Sequence, residues 1–422
     1  MSKIRVVLTG VGVVTPVGNN MRDFWDAVVE GKTGVARLTA FDPTPFNSHI
    51  AAEVKNFDAS KFMNPKQERR LDSFVKFAIG AAKMAFEDSG LDMNAICREK
   101  AGVYIGSGIG GLQTVEREHQ KFLVTAATED EFKAAAKISP FLIPMLIANM
   151  ASGLVSIELG FKGPNSATVT ACASASHSIG DAFRIMQRGE ADIMVAGGSE
   201  AATTKMGFGG FCALKALSSR NDDPAKASRP FDRERDGFVM GEGSAVVVLE
   251  ELEHAKKRGA RIYCEIVGYG MSGDAYHMTA PDPSGDGAVR CMQYSLEDAG
   301  LNTDDVDYIN AHGTSTPLND KMETAAIKTV FGKRAYEIAV SSTKGVTGHL
   351  LGATGAAEII VCAKAIETGI IPPTITYEYP DPECDLDYVP NVARKADVKV
   401  AISNSLGFGG HNVTLAVKRF DK

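Results

Sequence analysis

A single cysteine stands where a strand-forming segment meets a helical one. Cys172 follows the β-favouring run 166–171, and apolar residues then recur at i, i+3, i+4 and i+7 over 179–186, which predicts a helix. The unpaired N–H groups at a helix start favour an anion, and a thiolate is the nucleophilic form of cysteine. The pattern predicts a cysteine nucleophile with a lowered pKa. A buried, unreactive cysteine is the alternative that this pattern leaves open.

Two histidines lie in loop-like segments that follow predicted strands. His312 lies in NAHGTSTPLND and His349 in SSTKGVTGHLLGATGAAE. Ligands gather beside the carboxyl ends of strands in α/β sheets, so these side chains and Cys172 form one candidate constellation. Lys344 and Glu358 flank His349 in sequence and could orient it as an ion pair, although an ordinary surface pair fits the spacing equally well.

The segment NSLGFGGHN, 404–412, places glycines directly after another predicted strand. Glycines let a backbone N–H approach a reacting oxygen, as an oxyanion hole requires. A tight turn is the alternative interpretation of this segment alone.

Two further motifs are weaker signals. GSGIGG, 106–111, matches a dinucleotide fingerprint but is followed by a charged segment in place of the compact βαβ unit, which argues against nucleotide binding. His177 lies five residues after Cys172, yet no further ligands with zinc-like spacing accompany it, and we expect no metal site.

The elements that must position these residues alternate between strand and helix, which predicts an α/β fold. Two sets of five strands are expected, and the repeat suggests a duplication that breaks near 256–261. We therefore predict an N-terminal half, 1–258, that carries the cysteine, and a C-terminal half, 259–422, that carries the histidines. Residues 116–137 are charged and Ala-rich and predict an exposed helical excursion. The expected strands are 4–12, 102–108, 166–171, 191–197 and 244–250, then 262–270, 306–313, 336–343, 400–405 and 413–418.

Composition limits the function classes. The chain has 422 residues and a net charge of −7, which argues against a general nucleic-acid binder. No apolar run is long enough for a membrane span, and the start of the sequence lacks a signal-peptide pattern, so we expect a cytoplasmic protein. The seven cysteines are scattered and form no C-x-x-C pair, which argues against a disulfide framework.

Taken together, these segments resemble the β-ketoacyl-acyl carrier protein synthases, in particular the elongating enzymes of type II fatty-acid synthesis. The resemblance runs from VVLTGVGVVTPVG through TACASASHSIG, RPFDRERDGFVMGEG, DAYHMTAPDP and AHGTSTPLND to GFGGHN. It implies a thiolase-like fold in which two similar halves form five α/β/α/β/α layers, normally as a homodimer. It also implies an acyltransferase that extends an acyl chain by two carbons.

The resemblance also implies roles for individual residues. Cys172 resembles the acyl-accepting nucleophile, and His312 and His349 resemble the pair of the decarboxylating site. Lys344 resembles the lysine beside them, and Glu358 its acidic partner. The remaining residues resemble the gating phenylalanine whose N–H joins that of Cys172 in an oxyanion hole (Phe408), contacts to the phosphopantetheine arm (Thr279, Thr314, Thr316) and neighbours of the acyl pocket (Ile109, Phe211). No cofactor is implied beyond the phosphopantetheine of the acyl carrier protein.

The partner that the resemblance implies is an acidic acyl carrier protein. In KQERRLD, 66–72, the basic residues Lys66, Arg69 and Arg70 have helical spacing and are candidates for its docking surface. A solvated charged face is the alternative. Lys137, Lys215 and Arg220 are weaker docking candidates, and Leu406, where phenylalanine is usual, leaves the chain-length preference open.

Three rival functions follow from the same residues. A polyketide or type I ketosynthase shares the Cys-His-His set, and only substrate assays separate it from a fatty-acid enzyme. A non-catalytic subunit that shapes the acyl tunnel would lack Cys172. Initiating synthases carry His and Asn, and thiolases carry a second catalytic cysteine late in the chain, whereas Cys384 lies outside any Gly-rich loop.

Overall fold

The computed structural model describes residues 4–421, which contain fourteen strands and fourteen α-helices. The strands are β1 (Val6–Val14), β2 (Ala36–Arg37), β3 (Ile50–Ala51), β4 (Ala101–Gly106), β5 (Asn165–Ser166), β6 (Ile193–Glu200), β7 (Gly243–Glu251), β8 (Cys264–Gly273), β9 (Tyr308–Asn310), β10 (Ala339–Ser341), β11 (Ile370–Ile371), β12 (Arg394–Lys395), β13 (Val400–Gly407) and β14 (His411–Lys418). The helices are α1 (Met21–Glu30), α2 (Pro65–Glu68), α3 (Ser73–Ser89), α4 (Leu112–Thr128), α5 (Glu131–Ala136), α6 (Leu142–Leu146), α7 (Met150–Leu159), α8 (Ser174–Gln187), α9 (Lys205–Ala213), α10 (Leu252–Lys257), α11 (Asp286–Ala299), α12 (Pro317–Phe331), α13 (Lys344–Thr347) and α14 (Thr354–Thr368).

Ten of the strands form one sheet whose two halves have the same topology. The order is β10-β9-β13-β14-β8-β1-β7-β6-β4-β5. Outward from the centre, each half runs through its first, fifth, fourth, second and third strand, and the parallel and antiparallel pairings match as well. The antiparallel pair β1–β8 joins the halves. The repeated order is what a duplicated α/β unit produces.

Helices cover the sheet in layers, and the strands are buried on both faces. In β7, Val246 and Val248 belong to the core under α3 and α7, whereas Val247 and Leu249 belong to the central core. That central core also contains the apolar residues of α8 and α14, which pack between the two halves. Helices α11 and α12 cover the outer face of the second half. The result is the expected five-layer α/β/α/β/α arrangement.

Several element boundaries differ from the expectation. The predicted strand 166–171 is wrong in extent, because only Asn165–Ser166 pairs within the chain, at the outer edge of the sheet. Strands β9 and β10 are only three residues each. The helical excursion at 116–137 is confirmed as α4 and α5, with mostly exposed or half-buried side chains. The division at 258/259 falls between α10 and β8 and stays a prediction.

Within residues 4–421, no helix has the length and apolar character that crossing a bilayer requires.

Candidate active site

Cys172 lies in a 3₁₀ turn that leads directly into α8. The turn spans Ala171–Ala173, and Ala171 has a left-handed φ of 51°. Ser174 supports it, because its hydroxyl donates to the Ala171 carbonyl at 2.7 Å and accepts the Thr170 N–H at 2.9 Å. The sharp backbone turn places Cys172 at the start of the helix, as its spacing predicts.

The second half contains a matching turn before α14. It spans Leu351–Ala353, and Leu351 also has a φ of 51°. Gly352 therefore occupies the position that corresponds to Cys172. The nucleophile candidate is present in only one of two equivalent turns.

The ionisation of Cys172 differs from the sequence-based expectation. Burial raises the pKa of the Cys172 thiol to about 12, and the Glu200 carboxylate acts in the same direction. The Lys344 charge and the backbone N–H groups of Phe408 and Cys172 lower that pKa but do not offset desolvation. The predicted lowering of the pKa is therefore wrong for the substrate-free site. Cys172 does lie at a helix start, but desolvation of its sulfur disfavours the thiolate more strongly than the neighbouring positive groups favour it.

The two histidine rings face each other after strands of the second half. Their centroids are 5.4 Å apart at an angle of 82°, and both side chains are buried. The backbone N–H of His312 donates to Glu323 at 2.8 Å, as does that of Gly313. The Thr354 hydroxyl lies 2.9 Å from His349 Nδ1. The buried Glu323 thus fixes the loop that carries His312, and the buried Thr354 fixes the orientation of the His349 ring.

Lys344 and Glu358 form a buried ion pair beneath the histidines. The Lys344 ammonium donates to Glu358 and to the His312 carbonyl, and both side chains are 1% exposed. The spacing left a surface pair open, and the structure excludes it. Burial raises the pKa of Glu358 to about 7, against the opposing influence of Lys344.

Both imidazoles are held neutral. Burial lowers the pKa of His312 and of His349 well below the ordinary value, and the nearby Lys344 charge lowers both further. A neutral imidazole offers one N–H donor and one acceptor nitrogen. The pair can therefore both donate to a developing oxyanion and accept a proton.

The Gly-Phe segment lies against the cysteine turn. A Cβ on Gly407 would come within 2.7 Å of the Thr170 carbonyl, so glycine is needed for this close approach. The ring of Phe408 is half-buried, with its centroid 6.3 Å from that of Phe211. Gly409 donates its N–H to the Met278 carbonyl at 2.8 Å, which ties the segment to the loop before α11.

One cavity of about 400 Å³ collects most of the predicted site residues. Leu406 also lines it, although this side chain is only 9% exposed. Ile109 does not line this cavity and is 37% exposed, so its place at an acyl pocket stays a prediction. The predicted residues that line the cavity are Cys172, His312, His349, Phe408, Phe211, Thr279, Thr314 and Thr316.

The candidate docking residues are on the surface, although their helix is shorter than the spacing indicates. Helix α2 ends at Glu68, and Lys66, Arg69 and Arg70 are exposed. The Arg70 guanidinium lies over the Phe141 ring at 4.4 Å. Of the weaker candidates, Lys215 lies at the cavity, Lys137 pairs with Glu129 at 2.6 Å, and Arg220 donates to the Glu234 carbonyl at 3.2 Å.

The GSGIGG segment and His177 contact other groups of the protein. In GSGIGG the N–H groups of Gly108, Ile109 and Gly110 donate to the Glu200 carboxylate, so they do not present a free phosphate cradle. The Nδ1 atom of His177 lies 3.0 Å from the Thr170 hydroxyl. Among residues 4–421 there is no group of three or more His, Cys, Asp or Glu side chains suited to a metal ion.

Sequence reasoning missed three buried residues: Glu200, Glu323 and Thr354. Thr354 is the first residue of α14, in GATGAAE, where it is a polar residue at the start of an otherwise apolar segment. Glu323 lies in the second turn of α12, in PLNDKMETA, among several other polar residues, so the sequence carried no signal that distinguishes it. Glu200 ends a strand of small and apolar residues, and a carboxylate there was the corresponding signal.

The comparisons with known proteins agree with this geometry. Residues 3–255 match the family described as "Beta-ketoacyl synthase, N-terminal domain", and residues 263–378 match "Beta-ketoacyl synthase, C-terminal domain". The chain belongs to the β-ketoacyl synthase family. It is 53% identical to the 3-oxoacyl-[acyl-carrier-protein] synthase 2 of Synechocystis sp. over 100% of this chain and 99% of the relative. It is 54% identical to the protein of the same name in Coxiella burnetii, with 99% of each chain covered.

Solved β-ketoacyl synthases share the fold over the whole chain. A ketosynthase from a complex of a type II polyketide acyl-carrier protein with its ketosynthase is 35% identical, with a TM-score of 0.92 and 100% of both chains covered. A β-ketoacyl synthase from Burkholderia phymatum is 34% identical, with a TM-score of 0.90, and the match covers 99% of this chain and 100% of that one.

Proposed function

We propose that this family member is a 3-oxoacyl-[acyl-carrier-protein] synthase that condenses malonyl-carrier with a cysteine-bound acyl chain and extends fatty acids by two carbons. The observation that carries the proposal is the convergence of Cys172, His312, His349 and the Phe408 segment on one cavity. A nucleophile, two neutral donor–acceptor rings and backbone N–H donors are the groups that this acyl transfer needs.

The first half-reaction loads the acyl chain. The Cys172 sulfur attacks the thioester carbonyl, the S–C bond forms, and the carrier thiol leaves with the proton that Cys172 loses. Because the pKa of the thiol is raised to about 12, this proton must depart as the bond forms, and the neutral imidazoles of His312 and His349, which line the same cavity, are the proposed bases. The N–H groups of Phe408 and Cys172 are the donors for the carbonyl oxygen of the tetrahedral intermediate.

The second half-reaction forms the carbon–carbon bond. Loss of carbon dioxide from the malonyl group leaves an enolate whose oxygen can accept N–H bonds from His312 and His349. A Thr354 hydroxyl that donates to His349 Nδ1 leaves the ring proton on Nε2. The enolate carbon then attacks the acyl-cysteine carbonyl, and the C–S bond breaks to release the 3-oxoacyl product. The Cys172 sulfur leaves as a thiolate and takes up one proton from solvent, which restores the thiol.

The substrates are carried on the phosphopantetheine of an acyl carrier protein, and we propose no redox cofactor because neither half-reaction transfers electrons. Thr279, Thr314 and Thr316 line the cavity and offer hydroxyl groups to the amides of the arm; Thr314 and Thr316 lie 2.9 Å apart. The exposed Lys66, Arg69 and Arg70 form the proposed docking surface for the acidic carrier.

The active form is proposed to be a homodimer. The edge strand β5 and the residues after it are partly exposed, Val169 is 57% exposed, and an unpaired edge of this kind favours pairing with a second copy. Light scattering should give twice the chain mass of 44.8 kDa, and a single-chain mass would contradict the dimer.

We place the protein in the cytoplasm, because its seven cysteines are all free, as a reducing compartment favours.

The proposed function is tested by mass spectrometry of the protein after incubation with long-chain acyl-carrier and malonyl-carrier. We expect acyl mass on the peptide that contains Cys172 and a 3-oxoacyl product two carbons longer than the primer. Cys172→Ala should carry no acyl group, and Cys97→Ala, which changes an exposed cysteine, is the matched control that retains activity. A folded Cys172→Ala variant that still elongates would reject the mechanism.

A type II polyketide ketosynthase is the second candidate, because the ketosynthase with a TM-score of 0.92 comes from such a system. The same incubation separates the two functions. A fatty-acid enzyme releases the chain after one condensation for reduction elsewhere, whereas a polyketide enzyme accumulates products with several unreduced carbonyl groups.

A further inference from the structure

Glu200 is a buried carboxylate that no step described so far uses. It is the last residue of β6 and is 0% exposed. Its Oε1 atom accepts from the Ser107 hydroxyl at 2.9 Å and from the N–H groups of Ile109 and Gly110 at 3.2 and 3.3 Å. Its Oε2 atom accepts from the N–H groups of Gly108 at 2.7 Å and Gly352 at 3.2 Å.

These contacts identify the protonation state. All five partners are donors, four of them backbone N–H groups that cannot accept a proton. A protonated carboxyl would have only the Ser107 hydroxyl as an acceptor for its own hydrogen, and that hydroxyl already accepts the Gly110 N–H at 3.1 Å. Burial raises the pKa of Glu200, and hydrogen bonds from Ser107, Gly108, Gly352 and Ile109 act against that rise. A site made almost wholly of donors fits the carboxylate form.

The same carboxylate lies beside the nucleophile. A Cβ on Gly108 would come within 2.9 Å of Glu200 Oε2 and within 3.4 Å of the Ala171 Cα, so the loop that Glu200 holds touches the residue before Cys172. A Cβ on Gly352 would lie 2.7 Å from Glu200 Oε2 and would also collide with the Gly108 nitrogen. Glu200 thus connects loop 107–110 with the turn 351–353 at the point where both meet the cysteine turn.

Two opposite charges act on the ionisation of the Cys172 sulfur. The Lys344 ammonium favours the thiolate of Cys172 and the Glu200 carboxylate disfavours it, while His312 and His349 are neutral. A negative charge next to the sulfur favours its uncharged forms, which are the resting thiol and the acyl thioester.

We propose that Glu200 is a positioning residue for the condensation: its carboxylate clamps loop 107–110 and turn 351–353 against the Cys172 turn, and its negative charge adds to burial in disfavouring the thiolate of the unloaded enzyme. The inference rests on the proposed function for its role in turnover, but not for its effect on the thiol. The clamp fixes the backbone from which Cys172 reaches the cavity, and the charge disfavours the free thiolate.

Two substitutions separate the charge from the clamp. Glu200→Gln removes the charge and places an amide NH₂ against donor groups, so both functions are lost. Glu200→Asp keeps the charge but retracts the carboxylate by about one bond length, ~1.5 Å, so only the clamp is weakened. Glu250→Gln is the matched control, because Glu250 is also a 0% exposed strand carboxylate but binds Arg258 and His254 away from the cavity.

The first measurement is the rate of Cys172 alkylation by iodoacetamide at a fixed pH below the thiol pKa, followed by peptide mass spectrometry. We expect Glu200→Gln to alkylate about tenfold faster, because removal of a nearby unit charge changes a pKa by about one unit. Glu200→Asp and Glu250→Gln should stay within about twofold of the wild type. Equal alkylation rates in Glu200→Gln and the wild type, or equal acceleration in Glu200→Asp, would overturn the charge effect.

The second measurement is turnover with acyl-carrier and malonyl-carrier. Both Glu200 variants should lose about 10- to 100-fold in kcat at nearly unchanged KM, because the reacting groups are misplaced without loss of binding contacts. A folded Glu200→Asp variant with the wild-type kcat would overturn the clamp. This test remains decisive even if Glu200→Gln fails to fold. A wild-type protein that does not condense at all would instead contradict the proposed function, and the alkylation rates would still decide the charge effect.

Discussion

Burial controls the ionisation of the individual site residues more strongly than local charge does. The thiol of Cys172 is kept neutral although it lies at a helix start and near Lys344, and both histidines are kept neutral as well. The charged groups at the resting site are therefore the Glu200 carboxylate and the Lys344–Glu358 pair. Charge develops only when substrate is present, and the donors for it are already in place.

Burial also predicts that Glu242, which lies just before β7, makes the stability of the protein depend on pH. Burial raises its pKa to about 7, and the neighbouring Glu53 adds to the rise. The folded state then binds more protons than the unfolded state between about pH 4.5 and 7, so this group lowers the free energy of unfolding as the pH rises through that window. Glu242→Gln should remove this decrease.

We expect Glu242→Gln to be more stable than the wild type above pH 7, by up to about 3 kcal/mol, and equal to it near pH 4. The Gln side chain retains the acceptor for the Val54 N–H, which is 3.0 Å from Glu242 Oε1. Denaturant unfolding at several pH values measures this, with the exposed Glu131→Gln in α5 as the control. A constant difference between Glu242→Gln and wild type across pH 4–8 would contradict the assignment.

At the scale of elements, the site is built at strand ends and helix starts. Cys172 precedes α8, His349 and Thr354 flank the turn before α14, and the Phe408 segment follows β13. Short, irregular pieces at these ends bring the side chains together, while the strands behind them are buried and fixed. The surface element with a proposed function is α2, together with the basic residues that follow it.

Charge reversal at Arg69 tests this element as a docking surface. Arg69 is exposed, whereas Arg70 also packs over Phe141, so Arg69→Glu changes charge with the smaller structural effect. We expect the KM for the carrier to rise about tenfold at low salt and to approach the wild-type value at high salt, because surface charges are screened. Steady-state kinetics at two ionic strengths measures this.

Arg22→Glu in α1 is the matched control, because this side chain is 89% exposed and contributes nothing to the cavity. It should leave the carrier KM unchanged. An unchanged KM for Arg69→Glu at low salt would reject α2 as a docking element.

The sequence patterns were sufficient for the residue types and the α/β class, and the family resemblance implied the layer order. Element boundaries and protonation states were predicted less well. The positions of Cys172, His312 and His349 follow from local patterns, because a segment of strand-forming residues precedes each of the three loops that carry them. The extent of the strand before Cys172 was overestimated, since that segment lies at the sheet edge where no partner strand extends it. The raised thiol pKa depends on tertiary burial, and Glu200 became visible only when loops distant in sequence met.

At the scale of the whole molecule, the two halves meet through α8 and α14. Gly355 in α14 lies against Ser176 in α8, whose hydroxyl is 2.8 Å from that of Ser405 in β13. A Cβ on Gly355 would overlap the Ser176 Oγ atom. This contact therefore sets how closely the half with the nucleophile approaches the half with the histidines.

Gly355→Ala should separate the halves at this point. We expect about 1–3 kcal/mol of destabilisation, a lower Tm, and a lower kcat because Thr354 and His349 shift relative to Cys172. Gly210→Ala in α9 is the control, since nothing lies within 4 Å of its added Cβ, and it should be neutral or stabilising by up to about 1 kcal/mol. Calorimetry and turnover measure both, and a Gly355→Ala protein as stable and active as the wild type would contradict this packing role.

The paired turns at 171–173 and 351–353 have an evolutionary consequence. Both turns begin with a left-handed residue, Ala171 or Leu351, yet Gly352 has no room for a side chain because Glu200 and the Gly108 nitrogen occupy that space. The two copies are thus no longer interchangeable: one carries the reactive atom, and the other forms the wall behind it. Placing a nucleophile at 352 would also require a change in loop 107–110 or at Glu200, so no single substitution makes the two turns equivalent.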